Sequence, residues 1–333
     1  MKAPETKQGY LVISLDLELY WGMFDKVTIE EYGERILGER TAIPRMLTLF
    51  TEHSVHATWA TVGMLMARNR EELTALLPPP HLRPTYAHTE VSAYHHIETA
   101  TLGDDEQSDP YHFGPSLVKL IVETPHQEFG NHTFSHYYCV DGVANSPAIF
   151  ARDLEAHREI SQTYGIVTES IIFPRNQWSP DALRICSEHG IRAYRGNENH
   201  FLYRARSEDA QSLYIRGLRL LDHYINISGH HTYPLPQKDA YGLRNVPASR
   251  FLRPWNSALR MFEWLRLRRI KNAMTHAAKN GEVFHLWWHP HNFGIDQNEN
   301  FKNLEEILKH YKKLNAQYGI ESISMAEVAK LAR

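Results

Sequence analysis

Cysteine is nearly absent: Cys139 and Cys186 are the only two in 333 residues, too few for a disulfide framework and suited to a reducing compartment. Long apolar runs are absent as well. None approaches the ~20 residues needed to span a bilayer, so no transmembrane helix is expected. The opening stretch MKAPETKQGY lacks the apolar centre of a signal peptide, and the expected address is cytoplasmic. Neither sign of charge dominates. Lys and Arg number 36 against 39 Asp and Glu, a net charge of −3 that argues against general nucleic-acid binding. Hydrophobic content of 42% and charged content of 23% are those of an ordinary globular protein. No internal repeat or linker divides the chain, so one catalytic domain over residues 1–333 is expected.

Histidine, in contrast, is plentiful. With 21 in the chain, chance supplies roughly one His-x-x-x-His pair. Two such pairs occur, His132/His136 and His285/His289. The first follows a short extended stretch, Gln127-Glu128-Phe129-Gly130, where glycine and Asn131 let the backbone turn sharply. Its polar residues therefore fall at the C-terminal end of a strand, where α/β barrels place their chemistry. The plainer alternative is two surface histidines on a loop or first helical turn.

Short apolar strands alternate with amphipathic helices along the chain. Residues 10–15, 55–60, 171–173 and 283–287 read as strands. Helical patterns cover 40–52, 62–77, 146–164, 256–279 and 301–318, and Ser179-Pro180 opens another that closes at Gly190. Ser324 and Glu327 form a capping box for a last helix, within C-terminal helices at about 301–333. This alternation implies an α/β fold with a mostly parallel sheet. Residues 78–113, opening on three prolines and rich in histidine and acids, read as an insertion: a functional lid or a loose excursion.

Asp16 and Glu18 lie where the first strand gives way to a loop, and residues i and i+2 of a strand share a face. One could bind a metal while the other takes a proton from water; an exposed acidic loop is the alternative. His289 ends a late apolar strand, the place for a general acid that protonates a leaving amine. His285, inside that strand, reads as a core histidine. Arg175, at another strand end, could anchor the unbound carboxylate by a bidentate contact. The basic run from Arg266 to Lys271 could meet a diphosphate or an acidic membrane surface, or form a solvated helix face.

These segments together resemble the polysaccharide deacetylases of the NodB-homology type, from about Gly9 to Ile295. Ser14-Leu15-Asp16-Leu17-Glu18 looks like the first family motif, and Glu128 through His136 looks like the metal-histidine motif. Phe173-Pro174-Arg175 resembles the arginine motif, and Leu286-Trp287-Trp288-His289 the motif of the general acid. The resemblance implies a distorted (β/α)7 barrel with insertions. It makes Asp16 the base, with Arg175 holding it, His289 the acid, and Glu18, His132 and His136 the ligands of one divalent metal, usually Zn2+. The implied reaction removes an N-acetyl or N-formyl group from an amino sugar in bacterial surface-polysaccharide or glycolipid biosynthesis. The substrate could ride on a nucleotide or lipid carrier, with peripheral membrane contact. An allantoinase-like opening of a cyclic amide and a non-catalytic saccharide-binding barrel are the competing readings.

Overall fold

The computed structural model describes residues 8–141, 146–203 and 213–331, so the two ends of the expected domain lie outside the described residues. Among the described residues nine strands form one sheet: β1 (Tyr10–Leu17), β2 (Ala57–Thr61), β3 (Gln127–Asn131), β4 (Ser170–Ile171), β5 (Ala193–Tyr194), β6 (Arg244–Asn245), β7 (Arg250–Phe251), β8 (Val283–Trp288) and β9 (Glu321–Ser322). Their order is β6-β5-β4-β3-β2-β1-β8-β7, with β9 beside β1, and the ladders are parallel.

Both end strands of that order come from one stretch of chain, residues 244–251. Val246 N donates to Tyr194 O and Ser249 N to His285 O, each at 2.8 Å, so the stretch touches β5 on one side and β8 on the other. The sheet therefore curls into the expected distorted α/β barrel, with one strand position split into β6 and β7. Every residue of β1 and β2 is buried, as happens when both faces of a parallel sheet are covered.

The covering helices are α1 (Ile29–His53), α2 (Arg70–Leu76), α3 (Ala93–Thr99), α4 (Pro115–Glu123), α5 (Pro147–Gln162), α6 (Pro180–Glu188), α7 (Leu213–Asp222), α8 (Glu263–Asn280), α9 (Gln297–Tyr318) and α10 (Met325–Lys330). Local sequence explains their ends. A Thr28/Glu31 capping box opens α1, and a Ser324/Glu327 box opens α10. Proline stands at the first turn of α4, α5 and α6, where a missing N–H costs nothing. Gly281, at φ 65°, closes α8 in the left-handed conformation that glycine tolerates.

Three expectations are corrected. The 62–77 helix is broken: a 3-10 turn at Gly63–Met66 precedes α2, because the Asn69 side chain caps Glu72 N at 2.8 Å and starts a new helix. The 256–279 helix begins later, since Asn256 caps Ala258 N at 2.9 Å and opens a 3-10 turn before α8. Residues 78–113 are also less loose than their weak periodicity suggested, for Tyr94, Leu102 and Phe113 join the main core against β1, β2 and α4.

Candidate active site

The C-terminal ends of β1, β3 and β8 deliver the chemistry. Asp16 is the next-to-last residue of β1 and Glu18 follows the strand directly; the two are 3% and 4% exposed. Two carboxylates so deeply buried need counter-charges, and each has them.

His132 and His136 sit on the turn after β3. Thr133 and His136 occupy the left-handed region at φ 63° and 54°, a conformation disfavoured for non-glycine residues and most of all for β-branched threonine. Hydrogen bonds hold it. Thr133 N donates to Asn131 Oδ1 at 2.6 Å, and Tyr137 N to Thr133 Oγ1 at 2.7 Å. From α5, the Asp153 carboxylate accepts from Phe134 N at 2.6 Å, Ser135 N at 3.2 Å and Ser135 Oγ at 2.5 Å. Burial pushes the Asp153 pKa up to about 6 despite those bonds.

The His132 ring is oriented by a backbone carbonyl. Ile172 O lies 2.7 Å from Nδ1 and can only accept, so Nδ1 carries the proton. That leaves Nε2 facing Glu18 Oε1, 2.9 Å away, a separation that takes either a proton or a cation between the two atoms. His136 Nδ1 meets the Tyr138 hydroxyl at 3.0 Å, and its buried Nε2 lies 3.4 Å from the same Glu18 oxygen without a hydrogen bond. The ligand atoms of Glu18, His132 and His136 all lie within 4.8 Å of one another. This set of two imidazoles and one carboxylate fits a divalent metal.

Asp16 is held by Arg195. The guanidinium donates from Nη1 to Oδ1 at 2.7 Å and from Nη2 to Oδ2 at 2.6 Å, and also reaches Ser14 Oγ and Asn176 Oδ1. Burial would raise the Asp16 pKa, but Arg195 together with His289 and His132 outweighs it, and the pKa ends below the usual carboxylate value. Arg175, expected in this place, does not fill it. Its backbone turns at φ 54°, and the side chain lies over the Tyr138 ring and pairs with Asp25 at 2.5 Å and Asp141 at 3.3 Å. Sequence reasoning missed Arg195, because the strand before it is only two residues long.

His289 Nε2 stands 3.6 Å from Glu18 Oε1 and 3.7 Å from Asp16 Oδ2. Burial lowers its pKa, yet the two carboxylates outweigh burial and leave it above the ordinary histidine value. The rings of Phe251 and Trp287 lie against it. His285 is a core residue, its Nδ1 on Val246 O and its Nε2 on Ser14 Oγ, with burial lowering its pKa to about 3. Sequence reasoning gave His291 no part. It is buried beside His289, its Nδ1 2.9 Å from the Tyr32 hydroxyl.

The sequence profile of the polysaccharide deacetylase family matches residues 23–194, just over half of the chain. The chain belongs to the polysaccharide deacetylase family. Membership implies a hydrolase acting on acetyl groups. The matched range includes His132 and His136, while Asp16, Glu18, Arg195 and His289 lie outside it and are brought in by the fold. Solved structures show the same architecture. One is a Mycobacterium smegmatis protein assigned as a polysaccharide deacetylase, at 13% identity and a TM-score of 0.61, covering 99% of this chain and 92% of that one. The PuuE allantoinase aligns at 12% identity and a TM-score of 0.55, over 98% and 91% of the two chains. A 4-alpha-glucanotransferase from Thermococcus litoralis aligns at 11% and 0.55, over 98% of this chain and 41% of its own. At such identities the likeness is one of fold, that of the NodB-type barrel. No curated protein matches the chain in sequence.

Proposed function

We propose that the chain is a divalent-metal-dependent hydrolase that removes an N-acetyl or N-formyl group from an amino sugar, carried on a nucleotide or a lipid. The supporting observation is that His132 Nε2 and His136 Nε2 converge on one oxygen, Glu18 Oε1, at 2.9 and 3.4 Å, with His136 Nε2 buried and without a hydrogen bond. Glu18, His132 and His136 would hold the ion, and a set of one carboxylate and two imidazoles suits zinc. A bound divalent ion supplies Lewis acidity toward an acyl carbonyl and toward water.

The remaining chemistry belongs to side chains. Asp16, kept ionised and fixed in orientation by Arg195, accepts a proton from the attacking water at one of its carboxylate oxygens. His289, kept protonated by the neighbouring carboxylates, gives its proton to the amine nitrogen as the C–N bond breaks. His289 Nε2 lies 3.7 Å from Asp16 Oδ2 and 3.6 Å from Glu18 Oε1, so base and acid border the same candidate metal ligand.

The test is release of acetate or formate from N-acylated amino sugars, measured beside a cyclic ureide. Release from the sugars that disappears in Asp16→Asn supports the reading. Turnover of the ureide alone would replace it with cyclic-amide hydrolysis.

A further inference from the structure

The surface beside α7 and the start of α8 is unlike the rest of the molecule. Twelve large apolar side chains are exposed among the described residues, and eight of them fall between Phe201 and Trp264. Met261, Phe262 and Trp264 are 78%, 51% and 57% exposed, and Tyr214 of α7 is 73% exposed. Scattered exposed apolar residues need no explanation, but this concentration does.

The C-terminal end of α7 is tied to α8. Asp222, the last residue of α7, is gripped by Arg250 at 2.5 Å and by Arg269 of α8 at 3.6 Å. Leu221, Ile225 and Ile227 are exposed on either side of that pin. Arg266 ties the start of α8 to Arg253 O and to Glu263.

The exposed charges of the two segments themselves are of one sign. Residues 213–229 and 251–271 contain two acidic residues, Asp222 and Glu263, and both are buried in ion pairs with arginine. Arg260 and Arg268 are exposed among the apolar side chains. Among the described residues of these two segments the exposed charges are thus positive, while the neighbouring helix α9 contributes acidic residues, Glu306 pairing with Lys271. Apolar and aromatic side chains mixed with arginine are the composition of a surface that enters the headgroup layer of an anionic membrane. No helix among the described residues is long and apolar enough to cross a membrane, so contact would be from one side. A second copy fits poorly, since a two-fold contact would press the two basic faces together.

The surface also lies at the right end of the barrel. Helix α8 precedes β8 and runs antiparallel to it, so its first turn stands at the C-terminal end of the strands, where Asp16, Glu18 and His289 are. Phe251, packed against His289, leads along the chain to Met261. We infer that Met261, Phe262 and Trp264, with Arg260 and Arg268, dock the barrel mouth onto an anionic lipid surface, from which an amphiphilic substrate can enter. The inference stands apart from the metal and acid–base reading, and its test needs no turnover.

The experiment is co-sedimentation of the full chain with phosphatidylglycerol-containing vesicles and with pure phosphatidylcholine vesicles, at low and high salt. Binding to the anionic vesicles that weakens with salt is expected. Arg260→Glu/Arg268→Glu should weaken it by about fivefold or more per arginine. Met261→Ser/Phe262→Ser/Trp264→Ser should weaken it by at least about tenfold. Thermal unfolding checks that each variant folds, and the arginine pair carries the test if the apolar triple does not. The inference is overturned if the wild type ignores anionic vesicles or if the folded arginine variant binds as well as wild type. It is equally overturned if sedimentation velocity shows a dimer that the apolar variant dissolves while vesicles are not bound, or if polyglutamate binds where vesicles do not.

Discussion

The guanidinium of Arg195 holds both oxygens of the Asp16 carboxylate, at 2.7 and 2.6 Å, with the arginine 0% and the aspartate 3% exposed. Removing one partner strands the other without solvent. Arg195→Ala should lower stability by about 3–5 kcal/mol, the cost of a buried charge left unpaired. Loss of the positive charge also raises the Asp16 pKa, so the acid limb of the pH–rate profile should move to higher pH. Arg175→Ala, which touches Asp25 and Asp141, should leave that limb in place. Denaturant titration and the two pH profiles check the pair.

His289 acts as a donor in the proposed reaction, so activity should fall as pH rises through its elevated pKa. His289→Asn should reduce kcat by about 10²–10⁴-fold and flatten that alkaline limb. Metal content should stay at the wild-type level, because Glu18, His132 and His136 remain. A loss of metal together with activity would mean that His289 is a ligand.

Asp153 ties the strained turn after β3 to α5, and burial raises its pKa from 3.8 to about 6. The folded state thus holds this proton more tightly than the unfolded state. Its stabilising effect is complete below about pH 4 and lost as pH rises through about 6, a change of about 3 kcal/mol. The stability difference between wild type and Asp153→Asn should therefore be greater near pH 4 than near pH 7. Urea unfolding at the two pH values measures it; a constant or reversed difference would contradict the burial argument.

Gly38 of α1 meets Gly294 backbone to backbone. A Cβ on Gly38 would fall 1.9 Å from Gly294 O, and α1 packs on the turn that carries His291. Gly38→Ala should cost about 1–3 kcal/mol through overpacking, and the displaced turn should lower kcat as well. Unchanged melting in that variant would show that the helix has room to shift.

The parts of the site readable from sequence are those set by local rules. Asp16, Glu18, His132, His136 and His289 each follow a strand signal, and the topology brings their side chains to one place. Arg175 carried the same local signal and misled, because its left-handed turn points it to Asp25 and not to Asp16. Arg195 went unseen because β5 is too short to show a period, and its partner is 179 residues away in sequence. The break at Asn69 was hidden because a side-chain cap decides it and periodicity passes over caps, and at Asn256 the expected continuous helix gives way to a capped 3-10 turn before α8 starts at Glu263.

The central claim is that Glu18, His132 and His136 hold a metal ion, and elemental analysis of the purified protein tests it most directly. The account expects about one divalent ion per wild-type chain, and little in His132→Ala/His136→Ala, whose fold is checked by circular dichroism. A wild-type chain that binds no metal even when zinc is offered would contradict it.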